Sequence, residues 1–188
     1  MAELLIAAES IVTASTPHPN GSGLSGPGLS GPGFSGPGLS GPGSSTGHPT
    51  VLSPGYVLIE DGWISEVGAG EPPEPPDEHL DHGVLTPGFV DLQVNGYYGV
   101  EFDAVNEADW RLVAERLPET GTTAFLPTFI TNPLPQLADA LKAAAGLAEH
   151  LAGTPTAAHV LGVHVEGPFI NPVRGGAHNP EWMIDPTP

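Results

Sequence analysis

Three polar side chains share one face of an apolar stretch that is typical of a β-strand. Over residues 89–96, the two-residue period of a strand puts Asp91, Gln93 and Asn95 on the same side. Their carboxyl and amide oxygens are suited to lining a cavity that takes a polar ligand. The alternative from the residues alone is that the amides satisfy nearby backbone groups before the turn expected at Gly96.

A second apolar stretch, residues 161–168, carries His164 and Glu166 on one face. An ionised carboxylate at the end of a buried strand is costly unless it pairs with a cation or binds a metal ion. Residues 156–170 contain no lysine or arginine to pair with Glu166, so the pattern favours a functional carboxylate over a structural salt bridge. For His164, which lies one layer deeper, a hydrogen-bonded core histidine is favoured over a ligand.

The loop over residues 171–180 is rich in glycine and also holds Arg174 and His178. Small residues let backbone N–H groups approach a ligand, and the two side chains offer hydrogen-bond donors to an anionic or hydroxylated one. Exposed loops also carry arginine and histidine that bind nothing. The residues alone therefore leave a ligand site and a solvated loop as equal alternatives.

These three segments belong to an alternation of strands and helices. Strands are predicted over residues 84–94, 122–130 and 158–165. Helices are predicted over residues 107–117, between a cap at Asn106 and a stop at Gly121, and from the cap Asn132 and Pro133 to about residue 152. Near-continuous apolar strands separated by helices indicate parallel βαβ units with both sheet faces covered. The carboxyl ends of such strands are where α/β folds assemble their sites.

The first part of the chain has a different pattern, which indicates a small antiparallel β unit. Strands are predicted over residues 4–13, 56–60 and 63–67. The Asp61-Gly62 pair between the last two favours a two-residue hairpin turn, because both residue types tolerate positive φ.

Two segments of unusual composition interrupt this β unit and end it. The unit Leu24-Ser25-Gly26-Pro27-Gly28 repeats within residues 17–49, and its low content of large apolar residues predicts a disordered insertion. Residues 70–82 are rich in proline and acids and predict a stiff linker. The boundary between the two parts is therefore placed between residues 1–83 and residues 84–188.

Composition excludes several functions. The 188 residues include 4 Lys and Arg against 22 Asp and Glu, a formal net charge of −18 at pH 7, which repels nucleic-acid phosphates and anionic lipids. There is no cysteine, which excludes thiolate metal sites and cysteine nucleophiles. No signal-peptide pattern and no run long enough to span a membrane is present. We expect a cytoplasmic protein that binds neither nucleic acid nor membrane.

Four motifs occur in order along the chain: TPGFVDLQVNG at 86–96, GTTAFLPT at 121–128, LGVHVEGP at 161–168 and GAHNP at 176–180. Together they resemble the N-acetylglucosamine-6-phosphate deacetylase family of the amidohydrolase superfamily. The resemblance implies an α/β fold, a (β/α)₈ barrel of which residues 84–188 supply the first βα units, preceded by an incomplete β-sandwich in residues 1–83. It also implies hydrolysis of N-acetylglucosamine 6-phosphate to glucosamine 6-phosphate and acetate, a step of amino sugar catabolism.

The resemblance further implies roles for individual residues. Glu166 matches the family's metal-binding glutamate, and Ala177 and His178 match positions that contact the phosphorylated amino sugar substrate. Gln93 and Asn95 stand where many amidohydrolases have two histidines. In this respect the chain resembles the branch of the superfamily that binds one divalent metal ion. The candidates for that ion are zinc, iron, manganese and cobalt. A homodimer is usual in the resembled family.

The resemblance covers only the front of the family's fold. A barrel of this type takes roughly 250 residues, and residues 86–188 supply about 100. The family's two metal-binding histidines and catalytic aspartate lie further along its chain, so no catalytic residue is assigned here, and we expect this N-terminal fragment to be inactive alone. Two alternatives are a non-catalytic half barrel used for binding or assembly, and an amidohydrolase that acts on another amide.

Overall fold

The computed structural model describes residues 3–13, 49–102, 106–152 and 154–186. The chain forms two compact units, Met1–Pro87 and Gly88–Pro188. The insertion predicted over residues 17–49 lies outside the described residues except for Pro49. Among the helices in the described ranges, none has the length and apolar content needed to cross a bilayer.

Within its described residues, the first unit is built from short strands. They are β1 Glu3–Ala8, β2 Ile11–Val12, β3 Val51–Leu52, β4 Gly55–Glu60, β5 Trp63–Ala69 and β6 Glu78–Leu80. A four-stranded sheet has the order β5-β4-β1-β6, in which β6 runs parallel to β1 and the other pairs are antiparallel. Asp61 and Gly62 join β4 to β5 with φ of 50° and 84°, so the predicted hairpin is confirmed.

Two details of this unit differ from the predictions. Residues 4–13 form two strands, β1 and β2, which belong to different sheets. The linker predicted over residues 70–82 extends only to Pro76, since β6 follows and pairs with β1. The N–H of Leu5 donates to Oδ2 of Asp77 at 2.8 Å, and the N–H of Asp77 donates to the carbonyl of Leu5 at 2.9 Å. Once the prolines end, free N–H groups allow the chain to join the sheet.

The second unit alternates strands and helices. Its elements are β7 Phe89–Val94, β8 Gly96–Tyr97, β9 Val100–Glu101, α1 Glu107–Arg116, β10 Thr122–Phe129, α2 Leu134–Leu151, β11 His159–Val160 and β12 His164–Val165. Short 3₁₀ helices cover Leu117–Thr120, Pro172–Arg174 and Pro180–Trp182. Strand β10 is central, with β7 on one side and β11 and β12 on the other, all parallel to it. The fold class is therefore α/β, as predicted.

Two predicted strands of this unit have other bounds. The strand predicted over residues 84–94 begins at Phe89, because Pro87 has no N–H to donate and Leu85 instead donates to the carbonyl of Ser10 at 2.9 Å. The strand predicted over residues 158–165 is two short strands, β11 and β12, which pair with different ends of β10.

Helix ends were predicted with mixed success. The Oδ1 of Asn106 accepts from the N–H of Ala108 at 2.9 Å, which confirms the cap of α1. Gly121, at φ 84°, ends the 3₁₀ helix that continues α1 and confirms the predicted stop. The cap predicted at Asn132 is wrong, since its Nδ2 donates to the carbonyl of Ile130 at 3.3 Å and no side chain caps α2.

An aromatic cluster forms the core of the second unit. Trp110 of α1 and Phe125 and Phe129 of β10 are at most 1% exposed. Phe102 packs between them, 5.2 Å from Trp110 and 6.0 Å from Phe125 between ring centroids. Phe125 and Phe129 lie four residues apart, hence on one face of the strand. Their burial fixes β10 against α1 and so fixes the position of its carboxyl end.

Strand β7 departs from the expectation that both sheet faces are covered. Its side chains Phe89, Val90 and Leu92 are 62%, 53% and 62% exposed. The two α-helices in the described part of the chain bury their apolar sides mainly on the cluster around β10. These β7 side chains are therefore left uncovered in the chain as it stands.

Candidate functional site

The carboxyl ends of three parallel strands bring polar side chains together. Gln93 lies near the end of β7, Thr131 lies just beyond β10, and Glu166 directly follows β12. The loop after β12 then returns His178 to the same edge, where it contacts both Thr131 and Glu166. We call these four residues, together with Asn95, the edge cluster. Its position matches the strand ends at which α/β folds assemble sites.

Two amides of the edge cluster converge on one oxygen of Glu166. The Nε2 of Gln93 donates to Oε2 at 3.3 Å, and the Nδ2 of Asn95 donates to the same oxygen at 3.4 Å. The N–H of Glu166 donates to the carbonyl of Phe129 at 2.9 Å, which extends the pairing of β12 with β10 by one residue and fixes where the side chain leaves the backbone. The amide donors thus stabilise the carboxylate that has no lysine or arginine nearby in sequence.

The imidazole of His178 lies against the other oxygen of Glu166. Its Nε2 is 3.6 Å from Oε1, and the His178 side chain is 9% exposed while that of Glu166 is 35% exposed. The loop is ordered by local bonds: the N–H of His178 donates to the carbonyl of Gly175 at 3.0 Å. A nearly buried imidazole thus lies beside a partly exposed carboxylate.

Thr131 connects the two halves of this arrangement. Its N–H and its Oγ1 lie 3.3 Å and 2.8 Å from Nδ1 of His178, and Oγ1 donates to the carbonyl of Glu166 at 3.2 Å. Gly167 lies so close that a Cβ there would be 2.0 Å from Oγ1 of Thr131, and its φ is 93°. Glycine is therefore required at this position by both sterics and backbone conformation.

Other residues that the sequence singled out are not part of the edge cluster. The Oδ1 of Asp91 accepts from the N–H of Gln93 at 3.0 Å, so this side chain binds the backbone of its own strand. The Nδ1 of His164 lies 2.9 Å from the carbonyl of Leu92, which agrees with a hydrogen-bonded histidine, although the residue is half-buried and not in the core. Arg174 and Ala177 are exposed, and Ala177 is placed near the cluster by its neighbour His178.

The edge cluster fits one ligand position of a metal site and not a whole site. Zinc and similar ions are held by several imidazoles and carboxylates. Over the described ranges, no three His, Cys, Asp or Glu side chains are grouped so that they could hold a metal ion. Glu166 offers one carboxylate, while Gln93 and Asn95 direct N–H groups at it. The residues present therefore supply at most part of a coordination sphere.

Sequence reasoning missed Thr131. The sequence pattern predicts a buried strand over residues 122–130 and a helix cap at Asn132. Thr131 lies between these two features and was given no role. A signal was available, because a hydroxyl directly after a buried strand lies at the same edge as Glu166. The contact with His178 could not be read from sequence, since it depends on how the loop after β12 folds back.

Comparisons with known proteins give a consistent result. No protein-family profile matches the chain. The N-acetylglucosamine-6-phosphate deacetylase of Bacillus subtilis (strain 168) is 37% identical over 136 residues, which cover 71% of this chain and 34% of the relative. That of Rattus norvegicus is 37% identical over 152 residues, with the same two shares. The chain thus spans about a third of the length of the curated relatives that it matches.

Solved structures of such enzymes are also similar. The crystal structure of N-acetylglucosamine-6-phosphate deacetylase from Pasteurella multocida matches 74% of this chain and 36% of its own, with a TM-score of 0.59 and 31% identity. That alignment and the curated relatives agree in placing the match at the front of a longer protein.

Proposed function

Since the chain is homologous to the N-terminal portion of N-acetylglucosamine-6-phosphate deacetylases, we propose that it contributes to the hydrolysis of N-acetylglucosamine 6-phosphate to glucosamine 6-phosphate and acetate. The observation that carries the proposal is the edge cluster, in which Glu166 receives two amide donors and faces His178. This proposal includes a (β/α)₈ barrel for the complete protein, with β7, β10 and the β11–β12 pair as its first three strand positions.

We assign Glu166 as one ligand of a divalent metal ion, of the zinc, iron, manganese or cobalt kind. Such an ion, when bound, polarises the amide carbonyl and lowers the pKa of water at the site. Gln93 and Asn95 hold Oε2 of Glu166 and thereby set the orientation of the carboxylate. We propose that the remaining ligands come from the later part of the family's chain, since the described residues do not group a complete donor set.

His178 and Ala177 are assigned to the substrate. His178 is nearly buried and held by Thr131, so its free ring nitrogen can meet a substrate oxygen without a large loss of side-chain entropy. Ala177 is exposed beside it, and its small side chain leaves the backbone of the loop accessible. A phosphorylated amino sugar offers oxygen acceptors to both.

We propose that the chain is inactive by itself. Proton transfer to the leaving amine needs a positioned acid or base. In the part of the chain that the structure describes, the titratable side chains of the edge cluster are Glu166 and His178, both of which already have the roles given above. We propose that a further carboxylate or imidazole comes from the later part of the family's chain.

A chimera with a relative tests the function. The chain replaces the matching N-terminal portion of the Bacillus subtilis enzyme, and release of acetate from N-acetylglucosamine 6-phosphate is measured. We expect activity in the chimera, none in the chain alone, and a loss of at least about a hundredfold on Glu166→Gln. Glu181→Gln is the matched control, because Glu181 is an exposed acid in the same loop and lies outside the edge cluster.

The same assay separates the alternatives. If the chimera hydrolyses other acylated amides as fast as N-acetylglucosamine 6-phosphate, the proposed substrate is wrong. The proposed reaction class, amide hydrolysis, is then retained. A folded chimera that binds no metal and hydrolyses none of these amides would favour the non-catalytic assembly role.

A further inference from the structure

Thr131 contacts both titratable residues of the edge cluster and is completely buried. Its N–H points at Nδ1 of His178 from 3.3 Å, and its Oγ1 lies 2.8 Å from the same nitrogen. The hydroxyl also lies 3.2 Å from the carbonyl oxygen of Glu166. Gly167 lies close behind the hydroxyl, since a Cβ at that position would be 2.0 Å from Oγ1.

The hydrogens at this contact can be assigned from which groups donate. A backbone N–H is only a donor, so the Nδ1 that it faces must present a lone pair. The carbonyl oxygen of Glu166 is only an acceptor, and Oγ1 of Thr131 donates its one hydrogen to that carbonyl at 3.2 Å. A hydrogen on Nδ1 of His178 could donate to Oγ1 of Thr131 at 2.8 Å, but the N–H of Thr131, a fully buried residue, would then lose its acceptor. The neutral ring consequently carries its hydrogen on Nε2.

We propose that Thr131 is a positioning residue that holds His178 in the Nε2–H tautomer and thereby presents a hydrogen-bond donor to the candidate site. The Nε2 of His178 is 3.6 Å from Oε1 of Glu166, beyond a good hydrogen bond. The N–H is therefore available to an oxygen acceptor of a ligand, such as a phosphoryl, carbonyl or hydroxyl oxygen. The nature of that ligand rests on the proposed function, whereas the tautomer does not.

Nuclear magnetic resonance of the chain with ¹⁵N-labelled histidine tests the assignment. At a pH where the ring is neutral, long-range ¹H–¹⁵N correlations distinguish a protonated from an unprotonated ring nitrogen, and His178→Gln identifies the signals by their loss. We expect Nε2 to be protonated and Nδ1 to be unprotonated. A protonated Nδ1, or both tautomers in exchange, would overturn the proposal.

Two variants separate the hydroxyl from the rest of the residue. Thr131→Val keeps the shape and the backbone N–H and loses the hydroxyl, and we expect His178 to keep the Nε2–H tautomer, because the N–H that faces Nδ1 remains. Thr131→Ser restores the hydroxyl, and we expect the signals of the unchanged chain. A valine variant in which Nδ1 of His178 becomes protonated would contradict the role of the backbone N–H. If the valine variant does not fold, the unchanged chain and the serine variant still decide the tautomer. No metal, substrate or activity enters this measurement, so failure of the deacetylase proposal leaves its outcome intact.

Discussion

The Nε2 of His178 lies 3.6 Å from Oε1 of Glu166 although a long loop separates the two residues. The loop closes on itself at its base, where the N–H of Ile184 donates to the carbonyl of Pro168 at 3.1 Å. The N–H of His178 donates to the carbonyl of Gly175 at 3.0 Å. All of these bonds lie within the second unit. The pairing of the imidazole with the carboxylate is therefore built into residues that the unit itself contains.

Replacement of Gly167 tests the close packing behind this pair. Gly167→Ala places a Cβ 2.0 Å from Oγ1 of Thr131 at a φ of 93°, and we expect it to lower the free energy of unfolding by about 2 kcal/mol or more. Chemical denaturation at low protein concentration measures the change.

The matched control is Gly146 of α2, where an added Cβ meets nothing within 4 Å. Gly146→Ala should raise the free energy of unfolding by about 0.5–1 kcal/mol, because glycine is the poorer helix former. Two glycine-to-alanine changes of the same sign and size would contradict the packing described for Gly167.

Replacement of Asp77 tests whether β6 is a true part of the first sheet. Asp77→Ala removes the acceptor for the N–H of Leu5, which the carboxylate holds at 2.8 Å. We expect a loss of about 1 kcal/mol in the free energy of unfolding, the usual contribution of one hydrogen bond, because the exposure of Asp77 to water weakens the effect of its charge. Glu74→Ala, an exposed acid in the same proline-rich segment, should change it by less than about 0.5 kcal/mol. Equal effects would indicate that residues 70–82 act as the linker that the composition predicts.

Local chemistry made part of the fold predictable. The hairpin at Asp61 and Gly62 and the cap at Asn106 depend on residue types within two or three positions, and both were predicted correctly. The shared face of Gln93 and Asn95 follows from the strand period alone, and the structure directs both side chains to the same oxygen of Glu166.

Features that depend on distant segments were not predictable. The pairing of Asp77 with Leu5 joins positions on either side of the long repeat segment, and composition gives no sign of it. The contact of Thr131 with His178 depends on the path of a loop that lacks regular pattern. The exposure of β7 follows from how few helices the described chain contains, whereas its sequence is that of a strand covered on both faces.

The ion pair of Arg116 with Glu119 predicts a dependence of stability on pH. The hydrogen bond from Arg116 lowers the pKa of Glu119 from its ordinary value of 4.5. A carboxyl with a lowered pKa stabilises the fold above the pKa of the unfolded chain, and this contribution is lost as the pH falls through the folded value. Glu119→Gln should therefore weaken the chain at about pH 6 and have less effect at about pH 3. Glu149→Gln, an exposed acid on α2, is the control, and a difference that does not shrink on acidification would contradict this account.

A zinc site can be completed at the edge cluster with two substitutions. In a tetrahedral site with bonds of about 2.0–2.1 Å, neighbouring ligand atoms lie about 3.3–3.4 Å apart. The amide nitrogens of Gln93 and Asn95 lie 3.3 Å and 3.4 Å from Oε2 of Glu166, so each of these two side chains reaches the carboxylate oxygen at about that spacing. We expect Gln93→His combined with Asn95→His to bind Zn²⁺ at least about tenfold more tightly than the unchanged chain, because two imidazoles and one carboxylate make the three-ligand set of a catalytic zinc site. Calorimetric titration measures the affinity. Adding Glu166→Gln should abolish the gain, and a triple variant that binds as tightly as the double one would show that the three side chains do not converge.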